Sequence, residues 1–310
     1  MFADSCNKHK PTSTTTSGIT KVYCDQSFEN IMGQEVEVFE FTYPNASVVP
    51  FYTDESTVVD SLLKGGTDLA IIARDLTKDQ KAYLKAKNGL VFSQRIAVDA
   101  LALIVNKDND IDEITMDELR DIFSGKVTRW GEVEPTKFKR DSIKIVFDNQ
   151  GSSAVRFIRD SILGGKPFIK NVYAQKNSSE VFEAVKKSRN AIGIIGVSWI
   201  TSDMQGKSES MEEKVKGLKE DDAASLDFSN EIKVLKLRKA GETKGYKPYQ
   251  AYIYSGQYPL YRSIYAICSS PRGTLSHGFY TFITGFVGQK IIQNTGVLPA
   301  TIQPRFVSLE

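Results

Sequence analysis

Histidine is nearly absent from this chain: His9 and His277 are the only two among 310 residues. A hydrolase triad or a zinc centre usually draws on histidine, and neither residue sits in a motif, so nucleophilic and metal chemistry have little to build on. The three cysteines, Cys6, Cys24 and Cys268, lack C-x-x-C spacing, which removes the common zinc and redox signatures. The longest apolar runs, such as Val98–Val105 and Ala191–Val197, are far shorter than the ~20 residues a membrane-spanning helix needs. An excess of either charge is missing too: 40 Lys+Arg face 38 Asp+Glu, leaving no chain-wide positive field to hold a nucleic acid. The expectation is a protein without catalytic residues, metal, cofactor or nucleic-acid partner.

The composition is that of a folded soluble chain, 41% apolar and 10% aromatic. Its length points to two domains, because single cores rarely grow past roughly 250–300 residues. Residues 1–18, MFADSCNKHKPTSTTTSG, are Thr/Ser-rich without apolar periodicity and read as a leader or tether. Within them Ala3-Asp4-Ser5-Cys6 resembles the end of a bacterial lipoprotein signal, which makes Cys6 the candidate lipidation site. Treated as a coil, Asn7–Gly18 spans on the order of 20 Å, enough to hold a folded body clear of a membrane surface.

From Ile19 the pattern alternates between strands and helices, as in a parallel sheet with helical crossovers. Strands are expected at Ile19–Tyr23, Val36–Phe41, Leu69–Ala73, Ile143–Phe147 and Ala191–Ile195. Asp54-Glu55-Ser56 opens a helix that ends at Gly65-Gly66, and Thr115 to Glu118 form a capping box for another that stops at Gly125. Ser178 precedes a third, and Phe279, Phe282, Ile283, Phe286 and Ile291 describe one core-facing helix before Gly296. The Lys/Glu-rich stretch 206–229 has too few apolar positions to bury a face and reads as a solvated excursion. Cys24 and Cys268 follow apolar strands and read as buried thiols, with a disulfide open only if their strands are neighbours.

The segment Ile143–Ile158, IKIVFDNQGSSAVRFI, runs from a strand through Gly-Ser-Ser directly into a helix. A helix start presents unpaired N–H groups and partial positive charge, so this turn can cradle an anion, with Arg156 about one turn along. Gln26-Ser27-Phe28 and Asp54-Glu55-Ser56 are similar turns after earlier strands, and ligands of open α/β folds bind outside the carboxyl ends of strands.

Over about 290 residues the chain resembles the periplasmic phosphate-binding proteins that serve ABC transporters. Gly66-Thr67-Asp68-Leu69-Ala70-Ile71-Ile72-Ala73-Arg74-Asp75-Leu76-Thr77 is similar to that family's "G-x-D-h-A-x-S-x-R-x-L-T", and Leu119–Trp130 to its "L-x-x-I-F-x-G-x-I-x-x-W". Ile96–Asn106, Ala191–Ile195, Tyr258–Arg262, Gly288–Ile292 and Gly296–Pro299 continue the resemblance in order. It implies an α/β, two-lobed periplasmic-binding-protein fold, each lobe a mostly parallel sheet flanked by helices, joined by two crossing strands near Ala100 and Arg262–Ile267. Lobe 1 would be 19–100 plus 264–310, and lobe 2 would be 101–263. The implied function is capture of inorganic phosphate by a monomeric extracytoplasmic receptor, lipid-anchored and partnered by ABC permease subunits. Ligand-binding positions carried over are Ser27, Phe28, Ser56, Arg74, Gly151, Ser152 and Ser153, and Arg156 is added as a replacement charge.

The chain departs from the family at the cradle. Family members read "R-x-D-G-S-G-T" where this chain has Asp148-Asn149-Gln150-Gly151-Ser152-Ser153-Ala154, so both the arginine and the carboxylate that accepts a phosphate proton are replaced. Gln150 cannot reject sulfate as that carboxylate does, and Asp54 or Glu55 are the acids nearest to hand as substitutes. The departure leaves open another oxyanion, sulfate, molybdate or tungstate, or a small organic phosphate. A sensor or surface interaction protein on the same lobes also stays open.

Overall fold

The computed structural model describes residues 13–133, 141–169, 172–201, 210–217 and 228–302. The first lobe starts with β1 (Gly18–Asp25), followed through a 3-10 turn over Gln26–Phe28 by α1 (Glu29–Thr42). Next come β2 (Ala46–Thr53), α2 (Glu55–Lys64), β3 (Leu69–Ile72) and α3 (Lys78–Asn88). The long strand β4 (Phe92–Asn106) then leaves for the second lobe. That lobe contains β5 (Glu113–Thr115), α4 (Met116–Ser124), β6 (Lys144–Phe147), α5 (Ser153–Phe157), β7 (Val172–Ala174), α6 (Ser178–Lys187) and β8 (Ala191–Gly196). It closes with α7 (Met211–Gly217), β9 (Ile232–Val234), β10 (Lys236–Arg238) and α8 (Gln250–Tyr254). The chain returns on β11 (Tyr261–Cys268) and finishes with α9 (Leu275–Thr284), α10 (Phe286–Asn294) and β12 (Leu298–Pro299).

The first lobe's sheet runs β2-β1-β3-β11-β4 and the second's runs β4-β8-β6-β7, so β4 belongs to both. Its partner changes between Ala100, which lies opposite Tyr261 of β11, and Leu101, which lies opposite Gly196 of β8. The Leu101 N–H donates to the Leu260 carbonyl at 2.9 Å, binding the two crossing segments where they pass. β1, β2 and β3 pair in parallel, as do β6, β7 and β8, and β11 runs antiparallel to its neighbours. β3 and β8 are buried along their whole length, the reason they read as unbroken apolar runs.

Local chemistry marks the helix ends. The Asp54 side chain accepts from the Thr57 N–H at the start of α2, and Gly65 ends that helix at φ 85°, a left-handed conformation glycine adopts without a Cβ clash. Thr115 and Glu118 form the expected capping box of α4. Two expectations fail. Val36–Phe41 is not a strand: its alternation sits inside α1, whose buried residues Ile31, Met32, Glu35, Val38 and Phe39 follow the helical period. The missing neighbour strand is β2. The single C-terminal helix is instead two, because the backbone at Gly285 is extended, and Phe286 beyond it is 60% exposed rather than on the core stripe.

Both Cys24 and Cys268 are buried free thiols, on strands held apart by β3, so no disulfide joins them. Of the leader, Ser13 to Ser17 make a turn whose Ser13 Oγ accepts from the Leu275 N–H at the start of α9. Residues 1–12, with Cys6, lie outside the described residues. Of the Lys/Glu-rich stretch, α7 places Met211 against Val38 of α1 and Ile291 of α10.

An aromatic cluster locks α1 to α9: the Phe39 ring lies 5.0 Å from Phe279 and 5.2 Å from Phe282 between centroids. Truncating this fully buried ring leaves a cavity between α1 and α9. Phe39→Ala is expected to lower the unfolding free energy by about 3–5 kcal/mol in a urea titration.

Candidate functional site

The carboxyl ends of β1 and β6 face each other across the two lobes. Asp25 is the last residue of β1 and Asp148 the first after β6, and a hydroxyl-bearing turn follows each. The Asp25 Oδ1 accepts from the Ser27 N–H at 2.9 Å, which holds the turn, and the Ser27 Oγ reaches over to donate to Asp148 Oδ2 at 3.0 Å. Nearby, Asn149 Nδ2 donates to Gln26 Oε1 at 3.2 Å and Trp199 Nε1 to the Ser27 carbonyl at 2.9 Å. Asn30 Nδ2 donates to the Ser198 carbonyl at 2.7 Å. All of these bonds except the one within the Asp25–Ser27 turn join one lobe to the other, so the cleft is closed.

Beneath this contact lies Arg262, 3% exposed, on the returning strand. It stands directly opposite Asp99 in the β4–β11 ladder, and its Nε and Nη2 donate to Asp99 Oδ2 at 3.2 and 3.0 Å. Its Nη1 donates to Ser153 Oγ at 2.6 Å at the start of α5, and its plane lies 4.8 Å from the centre of the Phe28 ring. One guanidinium therefore ties both crossing strands to a turn of each lobe.

Three buried carboxyls surround that one cation. Asp25 Oδ2, Asp99 Oδ1 and Asp148 Oδ1 have no hydrogen-bond partner. Burial raises the Asp148 carboxyl to about 6, with the Asp25 charge adding to the shift and the Ser152 and Ser27 hydroxyls and Arg262 opposing it. Burial also raises Asp25 and Asp99, each opposed chiefly by the Arg262 charge. A protonated carboxyl here is a donor and an ionised one an acceptor, so the cluster can exchange hydrogen bonds with a protonated oxyanion in either state.

A second interlobe contact centres on Glu55. Its buried carboxylate accepts from the Ala73 N–H at 3.1 Å and from Arg74 Nε at 3.2 Å. Arg156 of the other lobe donates to it from Nη2 at 3.1 Å, with Nε 3.0 Å from Oε1. Both arginines singled out by sequence thus meet on one acid of the first lobe.

Of the sequence-derived positions, Ser27, Phe28, Ser152 and Ser153 come together in the buried cluster, and Gly151 lies at its rim beside Asp54. Arg74 and Arg156 form the neighbouring Glu55 cluster. Ser56 stands apart, exposed, with its hydroxyl donating to Asp54. Sequence reasoning missed Asp25, Asp99 and Arg262. For Asp25 and Asp99 the available signal was a charged residue at the end of, or within, an otherwise apolar strand, a position that is rarely polar without a partner; Arg262, between Tyr261 and Ser263, gives no such signal.

A Cβ on Gly151 would come 2.9 Å from the Asp54 Cβ, so this glycine sets how closely the lobes approach. Gly151→Val is expected to hold the cleft open, and small-angle scattering should report a larger radius of gyration than for the parent. Asp148 gives a pH prediction. A carboxyl whose folded value is raised contributes stability below its unfolded value of about 4 and loses it as pH rises through about 6. Asp148→Asn should remove this fall, by as much as about 3 kcal/mol, from the unfolding free energy measured across that range.

Comparison with known proteins agrees with this architecture. The chain matches the PBP superfamily domain over residues 9–287. It is 24% identical over 306 residues to the phosphate-binding protein PstS of Pseudomonas aeruginosa, covering 94% of this chain and 86% of that protein. A Clostridium perfringens protein solved with bound phosphate superposes with a TM-score of 0.72 at 19% identity, covering 92% of this chain and all (100%) of that one. An ABC-type phosphate transport receptor from Vibrio cholerae gives 0.64 at 18% identity, covering 91% and 100%. With two lobes on a shared β4 and a domain match that takes in nearly all of both, the chain belongs to the PBP superfamily of periplasmic binding proteins.

Proposed function

We propose that this protein captures inorganic phosphate between its two lobes and presents it to the permease subunits of an ABC importer, outside the cytoplasm. The observation that carries the reading is the closed cleft in which Ser27, Ser152, Ser153 and Arg262 gather from both lobes around Asp25, Asp99 and Asp148, each of which keeps one carboxyl oxygen without a partner. The relatives named phosphate-binding proteins and phosphate receptors support it. In this reading the ligand is held by the turns at Ser27–Phe28 and Gly151–Ser153, with Arg74 and Arg156 closing the rim and Ser56 outside it. Asp25 and Asp148 supply the acceptors that Gln150 cannot. Sulfate, molybdate and tungstate, which carry no proton at neutral pH, would meet those oxygens without a hydrogen bond to offer. The ligand is bound and released unchanged, as fits relatives that are binding proteins. Cys6 would carry a lipid anchor on the 1–18 tether, with lobe 1 at 19–100 plus 264–310 and lobe 2 at 101–263, and the receptor would act as a monomer.

Isothermal titration of phosphate-stripped protein at pH 7 and fixed salt tests the reading. Phosphate should bind and sulfate should not. Ser153→Asp puts a negative charge beside Arg262 and should abolish binding, whereas Glu212→Lys on the exposed face of α7 should leave it unchanged. Equal losses at the two positions, or equal binding of sulfate, would overturn the assignment.

A further inference from the structure

Glu35 has no place in the site described above, yet it is 0% exposed in the first lobe and neither of its carboxyl oxygens has a hydrogen-bond partner. A buried carboxyl with both oxygens unmet is rare, and as a carboxylate it would cost far more than as the neutral acid. Its place on α1 keeps water away. Ile31, Met32, Val38 and Phe39, three and four residues to either side, share its face of the helix and are buried with it. Val38 packs with Ile291 of α10, and Phe39 with Phe279 and Phe282 of α9. The face that carries Glu35 is therefore the one seated on the last two helices.

The same helix reaches the other lobe. It begins directly after Ser27 and Phe28, and in its first turn Asn30 exchanges two hydrogen bonds with Ser198: Nδ2 donates to the carbonyl at 2.7 Å, and Oδ1 accepts from the Oγ at 3.1 Å. Glu35 lies between these contacts and the seat on α9 and α10, on one continuous helix. We propose that Glu35 is a proton-held latch on α1: the neutral carboxyl lets the helix lie on the core, and loss of its proton to solvent unseats the helix and slackens the interlobe bonds of Ser27 and Asn30. The device does not depend on which ligand the cleft takes.

No neighbouring charge stands in for the proton. Burial is the sole cause that raises the Glu35 carboxyl, well above its ordinary value. Among the described residues, α1 packs against β1, β2, α7, α9 and α10, and their charged groups are engaged or exposed elsewhere. Lys21 of β1 lies over Phe51, and Asp25 is held by the Ser27 N–H. His277 of α9 rests on Phe92, and Lys290 of α10 lies over Phe286. Glu212, Glu213 and Lys216 of α7 are exposed. Cys24 of β1, Tyr52 of β2 and Tyr280 of α9 are kept neutral by burial. On α1 itself Glu40 accepts from the Val48 N–H, Glu37 is exposed and Glu29 is half-buried at the helix start.

The test compares the full chain with Glu35→Gln, which keeps the shape and cannot ionise, from pH 6 to pH 8, by urea titration and by hydrogen exchange of the α1 amides. A carboxyl whose folded value is raised gives stability that is complete below its unfolded value of about 4 and is lost as pH rises toward the folded one. Protection of the amides of Ile31–Phe39, corrected for the intrinsic rise of exchange with pH, should fall about tenfold per pH unit in the parent relative to the variant. It should also lie below the limit that global unfolding in urea sets. Asp25, Asp99 and Asp148 are present in both proteins and cancel from the difference. Parallel pH profiles in parent and variant overturn the proposal. Protection equal to the global limit at every pH overturns the latch as well, because the proton then acts on the whole fold and not on α1. If Glu35→Gln fails to fold, Glu35→Met carries the same comparison.

Discussion

Where the two connecting strands run side by side, a buried guanidinium faces a buried carboxylate across a single rung of the ladder, Arg262 opposite Asp99. Neither would be tolerated alone in so dry a place, and removal of one partner from such a pair is strongly destabilising. The placement is what matters. One end of Arg262 is fixed to the hinge, another holds the α5 turn through Ser153, and its flat face covers Phe28 of the opposite lobe. The position of each anion-facing turn is therefore referred to one rigid point, and the lobes close in a fixed register instead of sliding.

Closure has a second, more peripheral determinant. Glu55 collects an arginine from each lobe, and this contact lies nearer to solvent, the two arginines being about 30% exposed (30% and 31%). Partly exposed ion pairs are screened by salt and contribute modestly. Their arrangement differs from that of the inner cluster: here two cations share one acid, and inside three acids share one cation. The cleft thus changes composition with depth, from arginines paired with acids near solvent to carboxyl oxygens without partners at its floor. A phosphate drawn in by the first would find hydrogen-bond partners at the second.

Much of the architecture was legible because it is written in local signals. Caps at Asp54, Thr115 and Gly125, and the apolar runs of β3, β6 and β8, mark their elements without reference to the rest of the chain. Where tertiary packing overrides the local pattern, the reading fails. Val36 to Phe41 alternates like a strand, yet Val38 and Phe39 are buried on a helix against Ile291 and Phe279, partners distant in sequence. The site divides the same way. Serines at helix starts announce themselves, so Ser27, Ser152 and Ser153 were found. Arg262 was not, because its neighbours Asp99 and Ser153 lie 163 and 109 positions away, and nothing in the local run Tyr258–Ile264 shows that it turns inward. The arginine and acid missing from the Asp148–Ala154 turn were sought among the nearest residues, whereas the fold brings candidates from β1, β4 and β11.

The strand β4 pairs with β11 in one lobe, through a register shift between Ile264 and Tyr265, and passes directly to β8 in the other. Loss of either sheet would leave half of that strand with unpaired amides and carbonyls and a stripped apolar face, so neither lobe has a complete folded state of its own. Heat or denaturant should then melt both lobes together in one cooperative transition, and a fragment cut between them would forfeit the fold of each. Two lobes that are distinct in shape are, in folding, a single unit.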